Sequence, residues 1–384
     1  ATTGGDPLVD LAPAHPSFNS ASGRGASAVH EETPFYGSMH HSLLSLNGRY
    51  AVFESEAWDL VPNDTNGVRD LFIRDLESGE TAAIALDIPG YVIATGGISA
   101  DGSLLPYTRY ALYPNQGVEF HLLNLPAQSD SIIGTAVQSI GPGTFGVSAL
   151  GRYFLYSLET NQYVFDFNTG EIVAEVPRRT FQSERFSAGG EYLARREGIY
   201  RWSDGELHSL PSATGSAFAS SYDDRVFLLG SVYSSFSTPP LSVYFPETRE
   251  TYSVATNVSF PNLSGDGSTV VYGQGNQTFI FDVPSRSITA LRSPDGQDFK
   301  LSGRPNLSPD GRFVAFASSP SVTQYSHAYL YDRVLTNLIV IDRTTNGSVA
   351  TLPAGAPFVS ANGRVVLFES DAPDLVPNDF NQRS

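Results

Sequence analysis

The 384-residue chain carries 40 acidic against 23 basic residues, a formal charge of −17, and Lys300 is its only lysine. Nucleic acid needs a Lys/Arg-rich surface, so that partner class is excluded, and the acidic excess suits solubility and cation binding. Zero cysteines exclude disulfides and thiolate metal sites, and no apolar run reaches the roughly 18 residues of a membrane helix.

In chain order, the first predicted strand is Pro7-Leu8-Val9-Asp10-Leu11. From Ser45 onward one pattern recurs: Ser-x-(Asp/Asn)-Gly-(Arg/Ser), followed by a short run of Val, Leu, Phe, Tyr and Ala. Copies begin at Ser45, Ser99, Ser148, Ser187, Ser221, Ser264, Ser308 and Ser360. Their mean spacing is about 45 residues, the length of one four-stranded propeller blade. In Leu307-Ser308-Pro309-Asp310-Gly311-Arg312-Phe313 a strand ends at Ser, Pro-Asp bends the chain, Gly takes a positive φ and an aromatic strand returns. Leu150 replaces the Asp in the third copy and Asp224 replaces the Gly in the fifth. Third strands are predicted at residues 70–75, 163–167 and 278–282, and a fourth at 338–342.

Residues 43–66 and 358–381 align at an offset of 315, sharing Asn-Gly-Arg, Phe-Glu-Ser and Asp-Leu-Val-Pro-Asn-Asp. The expected fold is therefore an all-β, eight-bladed β-propeller, a single domain over 1–384. Pairing of the N-terminal strand with the C-terminal half-blade would close the ring and remove its exposed edges. Seven blades result instead if a weak repeat near Ser187 or Ser221 is no blade. The eighth repeat stops short of a third strand, so either a longer chain or a neighbouring molecule would supply it.

The repeats resemble those of TolB-type, WD-repeat-like propellers, whose units carry Ser-Pro-Asp-Gly-Arg followed by Ala-Phe; the seventh copy matches best. The run Asn63-Asp64-Thr65-Asn66-Gly67-Val68-Arg69-Asp70 resembles a variant found in extracellular bacterial members. The resemblance implies the scaffold and leaves the activity open, because propellers host enzymes and docking platforms alike. A start at Ala1 without Met suits a processed, secreted or periplasmic product.

Calcium takes six to eight oxygens, and Asp64, Asn66 and Asp70 with the Val68 carbonyl offer a partial shell; Asp379 and Asn381 repeat part of it. The competing reading is an Asx turn. Magnesium fits less well, since the loop does not enforce octahedral geometry.

No Gly-x-Ser-x-Gly elbow occurs, and His30-Glu31-Glu32 does not extend to a zinc-protease motif. A polysaccharide lyase would need a Tyr or His base beside a cation, for which His41, Arg185 and Arg304 are candidates. The face opposite the Ser-x-Asp-Gly turns collects segments 12–39, 109–118, 230–240 and 317–327. These carry Tyr110, Tyr113, Tyr233, Phe236 and Tyr325, and together with His41 they form the expected ligand surface. The preferred expectation is a secreted, calcium-stabilised, non-enzymatic module binding protein or glycan. The alternatives are a lyase and a structural subunit of an extracellular assembly.

Overall fold

The computed structural model describes residues 42–55, 60–62, 70–84, 90–95, 98–99, 101–111, 117–126, 129–137, 145–158, 161–177, 185–195, 198–211, 215–230, 240–319, 325–344, 346–370, 372 and 374–375. These fold into seven complete antiparallel sheets and an eighth sheet of two strands, with no helix among the described residues. Each sheet follows chain order, as sheet one shows: Ser42–Leu44, Tyr50–Ser55, Asp70–Asp75 and Thr81–Ala83. The weak repeats at Ser187 and Ser221 each begin a full four-stranded blade, so neither is missing from the series. In sheet seven the first strand is split into Lys300–Leu301 and Asn306–Leu307, both paired with Phe313–Ser319.

The eighth sheet departs from expectation. Only Phe358–Val359 and Val366–Leu367 pair, supplemented by an Ala354–Ser370 bridge. This hairpin sits between sheets seven and one, touching Asn306–Leu307 on one side and Ser42–Leu44 on the other. The strand predicted at residues 7–11, and with it closure through the N-terminus, lies outside the described residues.

First strands of neighbouring sheets approach one another repeatedly, as Val258–Leu263 does with both Ser216–Ser220 and Asn306–Leu307. They therefore lie innermost, where blades converge. Outermost strands meet solvent, with Ile132, Ile172 and Ile288 exposed on them. The apolar core fills the space between sheets: Tyr192, Phe227, Leu228, Val243, Val270 and Tyr272 form its largest continuous part, across sheets four to six.

The repeated motif is explained by its hydrogen bonds. Ser308 is fully buried; its Oγ donates to Asp310 Oδ1 at 2.6 Å and accepts the Phe313 amide at 2.9 Å. Asp310 Oδ1 also accepts the Arg312 amide at 3.0 Å. Hydroxyl and carboxylate thus saturate the turn's inward-facing amides, which burial would otherwise leave unpaired. Ser45 with Asn47, Ser99 with Asp101, Ser264 with Asp266 and Ser360 with Asn362 repeat the arrangement. The motif Arg then crosses to the end of the third strand. Arg312 lies over the Phe313 ring at 4.7 Å and forks onto Asp332 at 3.1 and 2.7 Å, holding that carboxyl below the usual carboxylate range. Arg49 reaches Asp75 at 2.9 Å and Arg152 reaches Asp166 at 3.1 Å by the same crossing.

The glycine of each turn seats that turn on the one before it. A Cβ on Gly102 would stand 2.5 Å from the Tyr50 ring, and one on Gly48 would stand 2.9 Å from Ser360 Cβ. Both residues also have φ of +74°, so two constraints exclude a side chain. The same contact links Gly151 to Ser99, Gly190 to Ser148, Gly267 to Ser221, Gly311 to Ser264 and Gly363 to Phe313.

Turns four and five solve the problem jointly. Turn four has Gly189 where the carboxylate belongs, and turn five has Asp224 where the glycine belongs, at φ +56°. Asp224, 3% exposed, reaches back into turn four. Its Oδ2 accepts Ser187 Oγ at 2.7 Å and the Glu191 amide at 2.9 Å; its Oδ1 accepts the Gly189 amide and Ser220 Oγ, both at 3.0 Å. A side chain on Gly189 would meet Asp224 Oδ2 at 2.6 Å, so the two departures depend on each other.

Burial pushes the Asp224 carboxyl from its ordinary 3.8 up to about 6, against the pull of its four donors. A group raised in the folded state stabilises fully below its unfolded value and loses that contribution as pH rises through its folded value. Chemical denaturation should therefore show a component of about 3 kcal/mol lost between pH 4 and pH 6. Asp224→Asn should lack this component; an identical pH profile for both proteins would refute the assignment.

Candidate functional site

Antiparallel order places every Ser-x-Asp-Gly turn and every third-to-fourth-strand turn on one face of the ring. The opposite face receives the second-to-third-strand connections. On the first face the motif side chains are consumed by packing, so chemistry has to be sought on the second.

In sheet seven the second strand, Phe313–Ser319, returns as His327–Asp332, with Ser318 paired to His327. The Tyr329–Val340 pairing continues through an Ile341-to-Ala328 backbone bond, which brings Asp342 beside His327. His327 Nδ1 lies 2.7 Å from Asp342 Oδ2. Asp342 is wholly buried, its carbonyl accepts the Ala350 amide at 2.8 Å, and its Oδ1 has no hydrogen-bond partner among the described residues. Burial raises its carboxyl, opposed by the hydrogen bond to His327. Behind the pair, Tyr329 is sandwiched by Phe316 at 5.3 Å and Phe299 at 5.0 Å, a floor that fixes the strand. The His327 side chain is 17% exposed, and Tyr325, two residues earlier, is 56% exposed.

The other described histidines are enclosed, His121 within its own blade and His208 against the next one. His121 Nδ1 faces Asp130 at 3.0 Å and its Nε2 faces Glu119 at 3.2 Å. His208 Nδ1 faces the Tyr244 hydroxyl and its Nε2 faces Glu206, each at 3.3 Å. Both are buried. Among the described residues His327 is the histidine that combines partial exposure with a ring nitrogen, Nε2, that has no protein partner, which is the form of an oriented acid–base or hydrogen-bonding imidazole. Sequence reasoning missed it because His327 and Asp342 carry no shared motif; only their strand register joins them.

The expected site residues divide as follows. Tyr325 is exposed on the long-loop face as anticipated. Tyr110 is a correction: it lies within the strand Leu104–Ala111, paired with Tyr91 and Val118, because the alternating run continues further than the turn signals suggested. Asp70 is the buried first residue of Asp70–Asp75, opposite Ser55, where the predicted third strand begins. Asp64, Asn66, Val68, Asp379, Asn381, His41, Tyr113, Tyr233 and Phe236 lie outside the described residues.

Of the proposed lyase cations, Arg185 begins the strand Arg185–Phe186. Arg304 donates from Nε and Nη2 to the Pro261 carbonyl at 3.2 and 3.0 Å and lies over the Phe218 ring at 5.8 Å. Asn262 answers by donating to the Pro305 carbonyl at 2.8 Å, so Arg304 braces the inner strands of sheets six and seven. Arg304 and His327 share no contact among the described residues. Nor do three His, Asp or Glu side chains converge there to hold a metal.

No protein-family model matches the chain, and no curated protein matches it by sequence. Solved structures do. The β-propeller domain of the Trilobed protease from Pyrococcus furiosus superimposes with a TM-score of 0.50 at 15% identity, over 81% of this chain and 98% of that one. Oligogalacturonate lyase from Vibrio parahaemolyticus gives 0.50 at 12% identity, over 91% and 88%. TolB from Acinetobacter baumannii is also matched, at 0.38 and 13% identity, over 75% and 62%. What this chain shares with the first two is the β-propeller fold, the scaffold that its TolB-like repeats implied.

Proposed function

We propose that this chain is an exported β-propeller of eight blades that binds a protein or glycan partner through its long-loop face. One observation carries the reading. The turn face spends its Ser, Asp, Gly and Arg side chains on its own backbone and on neighbouring turns, whereas the opposite face presents Tyr325 and His327 to solvent. Loops on a rigid ring are a natural place for recognition. A glycan-array screen, followed by affinity measurement on the best hit, tests it. Tyr325→Ala should weaken binding at least fivefold, while Val334→Ser, at a 69% exposed position on the turn face, should not. The reverse pattern would sink the proposal.

A polysaccharide lyase is the second reading, favoured by the His327–Asp342 pair and opposed by the commitment of Arg304 to Pro261. Release of unsaturated oligosaccharides from a uronate polymer would establish it.

Two structural proposals accompany the first. Calcium at loop 63–70, with Asp70 fixed at the strand start, would stabilise blade one; excess chelator should then lower the melting temperature by about 5 °C. Residues 7–11 would complete the eighth sheet, so deleting residues 1–11 should lower the melting temperature by several degrees. An unchanged melting curve would count against each in turn, and for the eighth sheet would leave strand donation by a neighbouring chain as the route to completion.

A further inference from the structure

The geometry points to a specific subsite: Tyr325 and the Nε2 of His327 recognise a neutral, hydroxyl-rich glycan, an inference that rests on the long-loop-face reading above. A carboxylate only accepts hydrogen bonds, so with Asp342 in its carboxylate form the 2.7 Å contact places the imidazole proton on Nδ1. In the neutral ring Nε2 is then an acceptor, and it has no donor among the described residues. The group that satisfies it must donate, as a sugar hydroxyl does and a carboxylate does not. The formal charge of −17 repels anionic polymers as well. Tyr325 contributes an exposed ring two residues away, against which the C–H face of a pyranose can stack while its hydroxyl edge meets the imidazole.

Phe299, Phe316 and Tyr329 anchor the strand that carries His327, so the acceptor is held in place before any ligand arrives. His121 and His208 could not substitute, since both rings are buried and carboxylates already face both ring nitrogens of His121.

The test uses the full chain with nitrogen-15-labelled histidine. Long-range proton–nitrogen spectra at neutral pH should show His327 protonated at Nδ1 and bare at Nε2; the opposite tautomer, or an imidazolium, would overturn the inference without any ligand. Titration with maltotriose, cellotriose and chitotriose should shift the Nε2 signal for at least one of them, with trigalacturonate binding more weakly. Tyr325→Ala and His327→Ala should each weaken that binding about tenfold. Asp342→Asn, which retains an acceptor for Nδ1–H, should bind better than Asp342→Ala, with melting curves confirming that each variant is folded. Neutral-sugar binding that survives both Tyr325→Ala and His327→Ala would overturn this subsite yet leave glycan binding elsewhere on the face intact. Preference for trigalacturonate, or no response of His327 to any neutral sugar, would overturn the ligand class, while Tyr325-dependent binding of a protein would still support the wider reading.

Discussion

The architecture depends on close contact between consecutive turns. Most turns are sealed internally by a buried serine, as Ser308 passes a hydrogen bond to Asp310 and receives one from the returning strand, whereas turn four takes its carboxylate from Asp224 of turn five. All but turn five are then seated on a neighbouring turn through a glycine with no space for a Cβ, and turn five is seated through Asp224 against Gly189. Turn one sits on turn eight through Gly48 and Ser360, and the Ala361 amide donates to the Leu46 carbonyl at 2.7 Å. The eight turns therefore form a closed circle of contacts, although the eighth sheet has only two described strands. Backbone hydrogen bonding and close packing act at the same point, so a change in one turn is felt by two blades.

Because the turn face is committed to its own construction, the opposite face is free to vary. The repeats tolerate this division: their turns keep a narrow grammar while the connections on the other side differ widely in length and composition. Sheet seven shows how a site arises from it. Its inner strand is split and braced by Arg304, its central strands rest on an aromatic floor, and its outer edge folds Asp342 behind His327. A buried carboxylate orienting a partly exposed imidazole is costly to assemble and has no evident part in the ring contacts.

Elsewhere buried polar groups serve cohesion. His121 is held within its own sheet by Asp130 and Glu119, and His208 reaches the Tyr244 hydroxyl of the next sheet. Asp224 has exchanged roles with Gly189, one turn lending its acceptor to another. The pairs that cross between sheets fix the angular register of neighbouring blades, since an unpaired partner would be left buried.

The repeat spacing, the strand order and the turn chemistry were legible in the chain because they arise from local rules: period-two alternation, a Gly with positive φ, and a Ser and an Asp or Asn two residues apart. Even drifted copies could be placed, since Ser148 and Ser187 keep their spacing. What only the tertiary structure decided involves residues brought together across strands or blades. Asp224 completing turn four, Arg304 spanning three inner strands and Asp342 meeting His327 all depend on register and on the angle between sheets, which no local pattern encodes. Tyr110 was misjudged for a related reason: strand ends are set by pairing with a neighbour, and the neighbour's extent is not written in the segment itself.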